Sequence, residues 1–326
     1  MEAIFEELDL FKAKINSSEN ICLMSHVNPD GDSVGSVLAL ATFIIENMGD
    51  GKNVNIVIND EIPSNLKFMP NMSLIKTDIE YNKIDLLITL DCASTDRLGI
   101  DESILNSIKY TVNIDHHVTN TQFGNINFID SKASSTGEVV YDLIKSMNYD
   151  ISKDIATCIY VSMSTDTGSF KYTNTSSKTH LIVSKLLDKH IDLEMINIEL
   201  YQNRSIEKTM LLMEGIKNLE LYEDNKVGIV SISKEILDAC KAKSQDAEII
   251  VNFIRDIDTI QVACSLREID ERTVKASLRS KQNIDVSKVA LKFNGGGHAK
   301  AAGCTIYSNL SEAKEQIKRE IIKAFR

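Results

Sequence analysis

Acidic and histidine side chains gather at four separated places in this 326-residue sequence, three of them directly after a short apolar run. Ile21–Ser25 leads into His26-Val27-Asn28-Pro29-Asp30-Gly31-Asp32-Ser33, Asp85–Leu90 into Asp91-Cys92, and Tyr110–Ile114 into Asp115-His116-His117. The fourth cluster, Ser164-Thr165-Asp166-Thr167-Gly168, follows a helical pattern that starts near Asp154. Five aspartates brought to one place cannot all stay ionised in a partly dry site without cations. Divalent metal resolves that conflict. Carboxylates mixed with imidazoles, and no thiolate, favour Mn2+ or a similar ion over a structural zinc site. Asp30, Asp32, Asp91, Asp115 and Asp166 with His26, His116 and His117 are enough donors for two ions that share a carboxylate. Such a pair lowers the pKa of a shared water and holds a phosphoryl oxygen against it, which is the chemistry of phosphoester hydrolysis. Any one cluster alone would read as a turn or a helix cap; all four falling at element ends point to one shared site.

A fifth signal lies far downstream, in Asn294-Gly295-Gly296-Gly297-His298-Ala299-Lys300-Ala301-Ala302-Gly303. Read as a loop, these consecutive glycines let the backbone approach a ligand and point N–H groups at an anion. His298 follows them directly, and Arg279 and Ser280 precede them, so these residues are candidates for gripping a phosphate. Arg267 is a further candidate, set against the plainer reading of a strand charge paired with Glu268 or Glu271.

The elements that must position these groups alternate short strands with helices, the pattern of an α/β domain with a mostly parallel sheet flanked by helices. Strands are expected at Ile21–Ser25, Val54–Ile58, Asp85–Leu90 and Tyr110–Ile114. Helices are expected at Ser33–Met48, Gly137–Met147 behind the capping box Ser135-x-x-Glu138, Asp154–Met163 and Thr179–Lys189. Each strand then ends in Asp or His within a few residues, at the carboxyl edge where open α/β sheets bind ligands. Residues 1–190 form this domain, 191–215 a helical connector, and 216–326 a smaller α+β domain. That second domain has expected strands at Val227–Ile232, Thr259–Leu266 and Thr273–Leu278, with helices near 245–254, 285–293 and 311–325.

Composition narrows the function classes. The net charge of −11 argues against a general nucleic-acid coat protein, since phosphate binding leans on Lys and Arg. Residues 1–215 carry −14 and residues 216–326 carry +3, a split that suits an anionic substrate held between metals on one side and cationic groups on the other. The longest apolar stretch, Val34–Ile45, is too short for a membrane span, and the acidic start has no secretion-signal pattern. A cytoplasmic protein without a membrane partner is expected. The six cysteines form no CxxC pair and read as reduced, mostly buried thiols, with His180 and His190 as surface residues.

With the motifs in hand, the sequence resembles the DHH phosphoesterases. His26-x-Asn-Pro-Asp30-x-Asp32, Asp91, the literal Asp115-His116-His117 and Asp166 are similar to the four motifs of that family, and Gly295-Gly296-Gly297-His298 to the signature of its associated C-terminal substrate domain. HVNPDGDSVGS, ASSTGE, STDTGSF and GGGHAKAAG look most like the stand-alone branch of oligoribonucleases that also act as 3'-phosphoadenosine-5'-phosphate phosphatases. The resemblance implies two Mn2+, with Mg2+ or Co2+ as substitutes. His26, Asp30 and Asp91 would hold one ion; Asp32, Asp91, His116 and Asp166 would hold the other, with Asp91 bridging. Asp115 would orient a histidine, His117 would face the scissile phosphate or leaving oxygen, and Arg279, Ser280, Gly295, Gly296, Gly297 and His298 would grip the nucleotide. The implied partners are short RNA oligonucleotides and small nucleotides, bound in a cleft by a homodimer.

Rival readings stand beside this one. A manganese inorganic pyrophosphatase resembles the first four motifs but carries a Ser-Arg-Lys-Lys-Gln signature, of which Ser280-Lys281-Gln282 is a faint echo. RecJ-type exonucleases are much longer. A membrane-bound cyclic-dinucleotide phosphodiesterase would need spans that the sequence lacks, and a soluble enzyme acting on cyclic dinucleotides or their linear products is the runner-up. A nucleotide sensor that binds without cleaving has no need of the full ligand set.

Overall fold

The computed structural model describes residues 2–76, 79–281 and 284–325, so Gln282 of the pyrophosphatase echo lies outside the described residues. The chain divides into two compact units, the first ending at Asn203 and the second beginning at Arg204.

The first unit is built on six parallel strands: β1 (Asn20–Met24), β2 (Asn53–Val57), β3 (Ile75–Lys76), β4 (Leu86–Leu90), β5 (Thr111–Asp115) and β6 (Ile126–Ile129), in the order β3-β2-β1-β4-β5-β6. β4 (LLITL) is buried at every position, as a strand covered by helices on both faces must be. Its helices are α1 (Glu2–Ser17), α2 (Gly31–Met48), α3 (Glu102–Ser107), α4 (Thr136–Ser146), α5 (Lys153–Asp166), α6 (Ser177–Leu187) and α7 (Leu193–Asn197). β1 has β2 on one side and β4 on the other, so the chain order reverses at the β1–β4 boundary. The loops after those two strands carry His26 and Asp91, which places both at the crevice where such sheets bind ligands.

Several boundaries differ from expectation for identifiable reasons. α5 does not stop at Met163 but runs to Asp166, so that aspartate sits in a helix's last turn and not in a loop. The Ser135 hydroxyl does cap α4 by accepting from the Glu138 N–H, but the Glu138 carboxylate turns instead to the Ser134 N–H and hydroxyl and to the Thr179 hydroxyl. The box is therefore half closed. β3 and β6 are too short or too polar in pattern to be read as strands. The expected connector at 191–215 is interrupted: α7 passes through one wide turn at Ile198–Gln202, and a new helix, α8 (Ile206–Lys217), starts behind the capping hydroxyl of Ser205. The segment is thus shared between the two units, with Ser205 opening a new helix where the absence of Gly and Pro suggested continuity.

The second unit carries β7 (Leu219–Tyr222), β8 (Val227–Ile232), β9 (Val262–Asp270), β10 (Thr273–Ser280), β11 (Gly296–His298) and β12 (Ala301–Ile306), ordered β11-β12-β10-β9-β8-β7. Only β8 and β9 run parallel. α8 packs with α9 (Lys234–Ala239) and α10 (Glu248–Arg255) around Leu211, Val230 and Ile250, while α11 (Val286–Leu291) and α12 (Leu310–Lys323) bury Ile317 and Ile321 against Val274 and Leu278. The glycine run read as a loop is instead an edge strand, paired residue for residue with β12. Among the described residues no helix is long and apolar enough to cross a membrane. The cysteines are free; all but Cys240 are buried.

Close helix packing brings the site's elements together. A Cβ at Gly35 of α2 would lie 2.6 Å from the carbonyl oxygen of Cys158 in α5, and one at Gly137 of α4 would lie 2.7 Å from Ser162 Cβ. Gly35→Ala forces α2 and α5 apart and is expected to cost about 1–3 kcal/mol, read as a lower urea midpoint; an unchanged midpoint would show that the helices separate freely.

Candidate metal centre

Asp91 occupies the middle of the site. It follows β4 with a left-handed backbone, φ 55°, a conformation that Asp and Asn adopt more readily than most residues. That turn aims a 2 % exposed carboxylate at three imidazoles. Its Oδ2 lies 3.3 Å from His26 Nε2, and its Oδ1 lies 3.7 Å from His116 Nε2 and 3.6 Å from His117 Nδ1. The Thr136 hydroxyl donates to Oδ1 at 2.9 Å.

Asp30 and Asp32 diverge although they are two residues apart. Asp30 is the N-cap of α2, accepting from the Ser33 N–H at 3.0 Å, and its side chain is 61 % exposed, 4.0 Å from His26 Nε2. Asp32, in the first turn, is buried and accepts from the N–H groups of Thr136 and Gly137 and the hydroxyls of Ser36 and Ser162 at 2.5–3.2 Å. The start of α4 thus points its dipole at this carboxylate. His116 Nε2 lies 3.5 Å from Asp32 Oδ2 and 3.9 Å from Asp166 Oδ2. Three groups could each hold a cation: His26, Asp30 and Asp91; Asp32, His116 and Asp166; and Asp91, His116 and His117.

Each imidazole is fixed through Nδ1. His26 donates to the Val27 carbonyl at 2.8 Å, and His116 has Nδ1 3.3 Å from the Ala133 carbonyl, so both direct Nε2 towards carboxylates. His117 donates from Nδ1 to Asp115 Oδ1 at 2.8 Å. Asp115 is fully buried and also accepts from the His116 N–H and from Asn120 Nδ2 at 2.6 Å. This arrangement makes Asp115 the orienting partner of the pair.

Charge crowding shows in the proton affinities of the ion-free protein. Burial, reinforced by Asp91 and Asp166, holds Asp32 well above the usual carboxylate range despite its donors. Partial burial and the neighbouring carboxylates push Asp166 up to about 6, against the pull of His116. For Asp91, burial works the same way but His26, His116 and His117 outweigh it, and its carboxyl is lowered. The hydrogen bond to Asp115 raises His117 to about 8. Among the described residues the ion-pair partners of Asp30, Asp32, Asp91 and Asp166 are histidines alone, with no Lys or Arg. Converging carboxylates, imidazoles turned lone pair first towards them and no lysine to neutralise them form a donor set that fits divalent cations.

The sequence did not mark several supports. Ser36 and Ser162 stand one helical turn from Asp32 and Asp166, a spacing that could have flagged them. Asn113 and Asn120 tie the Cys92 carbonyl to Asp115. Asn174 donates to Asp166 Oδ2 at 3.1 Å, to its carbonyl at 3.2 Å and to the Ser134 carbonyl at 3.0 Å. It is brought there by a left-handed run, Gly168-Ser169-Phe170, held by the Ser169 N–H on the Ser164 carbonyl and the Phe170 N–H on the Thr167 hydroxyl. Cys92, beside Asp91, is inert: burial pushes its thiol up to about 12 and it donates to the Ser94 carbonyl.

In the second unit, Arg279 and His298 both stand opposite Ala301, so one row of the sheet carries both. The Arg279 Nη1 donates to the Leu278 carbonyl, and Gly296, Gly297 and His298 are exposed. Gly297 has φ 135°, and a Cβ there would lie 2.5 Å from the Ala301 carbonyl oxygen; Gly295 is similarly tight against Gly303. Ser280 is placed differently from Arg279: it is buried, and its hydroxyl lies within hydrogen-bonding distance of the Ile284 and Ala299 carbonyls, which commits it to the loop's frame. Arg267 pairs with neither Glu268 nor Glu271, donating instead to the Ser244 carbonyl.

Residues 20–163 match the N-terminal domain of the DHH family and residues 230–326 match the DHHA1 domain. A probable bifunctional oligoribonuclease and PAP phosphatase, NrnA, of Streptococcus mutans is 30% identical over 296 residues, 91% of this chain and 92% of that protein. The chain belongs to the DHH family. The DHH match includes His26, Asp30, Asp32, Asp91 and Asp115–His117 and ends just short of Asp166. NrnA of Bacillus subtilis, a bifunctional oligoribonuclease and PAP phosphatase, is 30% identical over 299 residues, 90% of this chain and 91% of that protein. An exopolyphosphatase-related protein from Bacteroides fragilis superposes with a TM-score of 0.90 at 32% identity, covering 98% of this chain and 96% of its own. As a DHH protein with such relatives, the chain is a phosphoester hydrolase.

Two outcomes test the centre. Groups with raised folded pKa values lose their stabilising protons as pH climbs, so Asp32, Asp166 and His117 should make the chelator-treated protein less stable from about pH 4 to 8, with Asp91 opposing. Asp166→Asn should flatten the part near pH 6 and His117→Asn the part near pH 8 in melting temperature against pH; unchanged profiles would dissolve the proposed crowding. Asn174→Ala should weaken Mn2+ binding by about 10–100-fold in calorimetry, whereas wild-type affinity would mean that Asp166 needs no amide to hold it.

Proposed function

We propose that this chain is a Mn2+-dependent hydrolase of short oligoribonucleotides, including pApA, releasing mononucleotides, and that it also converts 3'-phosphoadenosine-5'-phosphate to AMP. The observation that carries the reading is Asp91, one buried carboxylate reached by three imidazoles and flanked by Asp30 and Asp32 on either side of a helix start. The names of the S. mutans and B. subtilis relatives support the substrate class.

In this reading His26, Asp30 and Asp91 hold one ion, and Asp32, Asp91, His116 and Asp166 hold the second. Two divalent ions so bound supply positive charge for the phosphoryl oxygens and a water of lowered pKa. His117 is kept in one tautomer by Asp115, which leaves Nε2 for the leaving oxygen. The hydrogen bond to Asp115 favours the protonated imidazole, which can then give that oxygen a proton. Arg279 and His298, beside the exposed backbone of Gly296 and Gly297, grip a phosphate of the substrate, while the Gly295 N–H is taken by the Ala290 carbonyl and serves the turn instead; an arginine fork suits a phosphate better than a lysine. Ser280 acts here by framing the loop that carries them.

Product analysis over time with Mn2+ and, in parallel, pApA, 3'-phosphoadenosine-5'-phosphate, cyclic di-AMP and pyrophosphate tests the proposal. AMP from the first two with pyrophosphate intact is the expected result. Cleavage of cyclic di-AMP as the preferred substrate would replace the reading by second-messenger turnover, and loss of pyrophosphate alone would overturn it. Asp32→Ala and His116→Ala should each lower turnover by about 10³-fold or more with the circular dichroism spectrum retained.

A further inference from the structure

The second sheet sets two cations side by side. Arg267 on β9 and Lys275 on β10 are direct cross-strand partners, and Lys275 faces Thr305 on β12. Like charges in that position repel each other. Among the described residues neither closes a salt bridge, and the Arg267 Nε–H is buried without an acceptor. Its guanidinium is nonetheless held in place, because Nη1 donates to the Ser244 carbonyl. Both residues line a groove of about 580 Å³ together with Ser277, Asn294, Gly303, Tyr307 and Glu248, whose charge acts on Arg267 without an ion pair and leaves the pair of cations in excess. The Tyr307 side chain is exposed and offers a ring face.

Strand geometry relates this groove to the Arg279 row. Lys275, Ser277 and Arg279 alternate onto one face of β10, and at about 3.3 Å per residue the outer two are about 13 Å apart. A stacked nucleic-acid strand spaces its phosphates about 3.4 Å apart along the axis, and a stretched one roughly twice that. A phosphate held at Arg279 and another at Arg267 and Lys275 therefore belong to linkages two apart in an extended chain. A bisphosphate nucleotide or a dinucleotide is too short to occupy both.

We propose that Arg267 and Lys275 form a second phosphate subsite, which engages the backbone of oligonucleotides of three or more residues and sets the chain-length preference of the enzyme. Tyr307 stacks a base beside it, and since every base has a π-face the subsite reads length and not sequence. The proposal rests on the oligonucleotide reading above and deepens it.

The test uses the full-length protein in chelator, so that nothing is hydrolysed, and fluorescence anisotropy with end-labelled pApA and pApApApA. Lys275→Glu should weaken the tetranucleotide about 10-fold while the dinucleotide changes by less than about twofold, and the salt slope for the tetranucleotide should fall by about 0.7, the share of one phosphate that no longer meets a cation. Lys275→Arg should keep wild-type affinity for both. Equal losses on the two lengths, or none, would overturn the subsite. Turnover of pApA by the wild type with Mn2+ is measured alongside: its absence would sink the hydrolase reading, whereas the length comparison stands or falls on binding alone.

Discussion

Carboxylates that would repel one another converge on Asp91, and the first unit is organised around keeping them there. Four hydrogen bonds and a helix start hold Asp32, a deeply buried pocket holds Asp115, and a left-handed residue turns Asp91 itself into place. None of these devices removes charge. They fix geometry while leaving an electrostatic deficit, and a deficit held in fixed geometry suits a cation. The glycines between α2, α4 and α5 belong to the same logic, because helices that carry opposing ligands must approach closely enough for those ligands to meet.

The histidines divide between two tasks by the partner each has at Nδ1. Main-chain carbonyls hold His26 and His116 and leave their Nε2 atoms among carboxylates. A carboxylate holds His117, which raises its proton affinity and suits it to handling a proton. Three residues of one type are thereby differentiated by their neighbours, and the pair Asp115 and His117 lies within a single tripeptide.

Much of this is legible in the sequence. Parallel strands buried on both faces leave continuous apolar runs, and polar clusters at their ends announce the ligand edge; β1, β4 and β5 can be read that way, with every Asp and His that the structure brings to the centre. Asp166 stands out as a ligand candidate although its element differs from expectation, since a helix can end in polar residues without a Gly or Pro to mark it. What stays hidden is support. Thr136 and Asn174 act through one hydroxyl or amide on partners distant in sequence or on another element, and such partners leave no periodic trace. The glycine run reads as a loop because β11 is short and its partner β12 is rich in Ala and Gly, which conceals a strand's usual β-branched signature. Ser280 next to Arg279 shows the same limit: adjacent residues on a strand face opposite ways, and only the register decides which one meets the ligand.

The left-handed backbone at position 91 also bears on how such proteins diverge. Asp and Asn tolerate that conformation better than other side chains except Gly, so the position is steeply filtered by shape before chemistry is considered. Asparagine keeps the turn, the volume and an acceptor for the Thr136 hydroxyl, and it is one base change away in the codon; only the charge is lost. Descent with that exchange would retain the scaffold of the first unit while removing the one negative charge on which its three imidazoles converge.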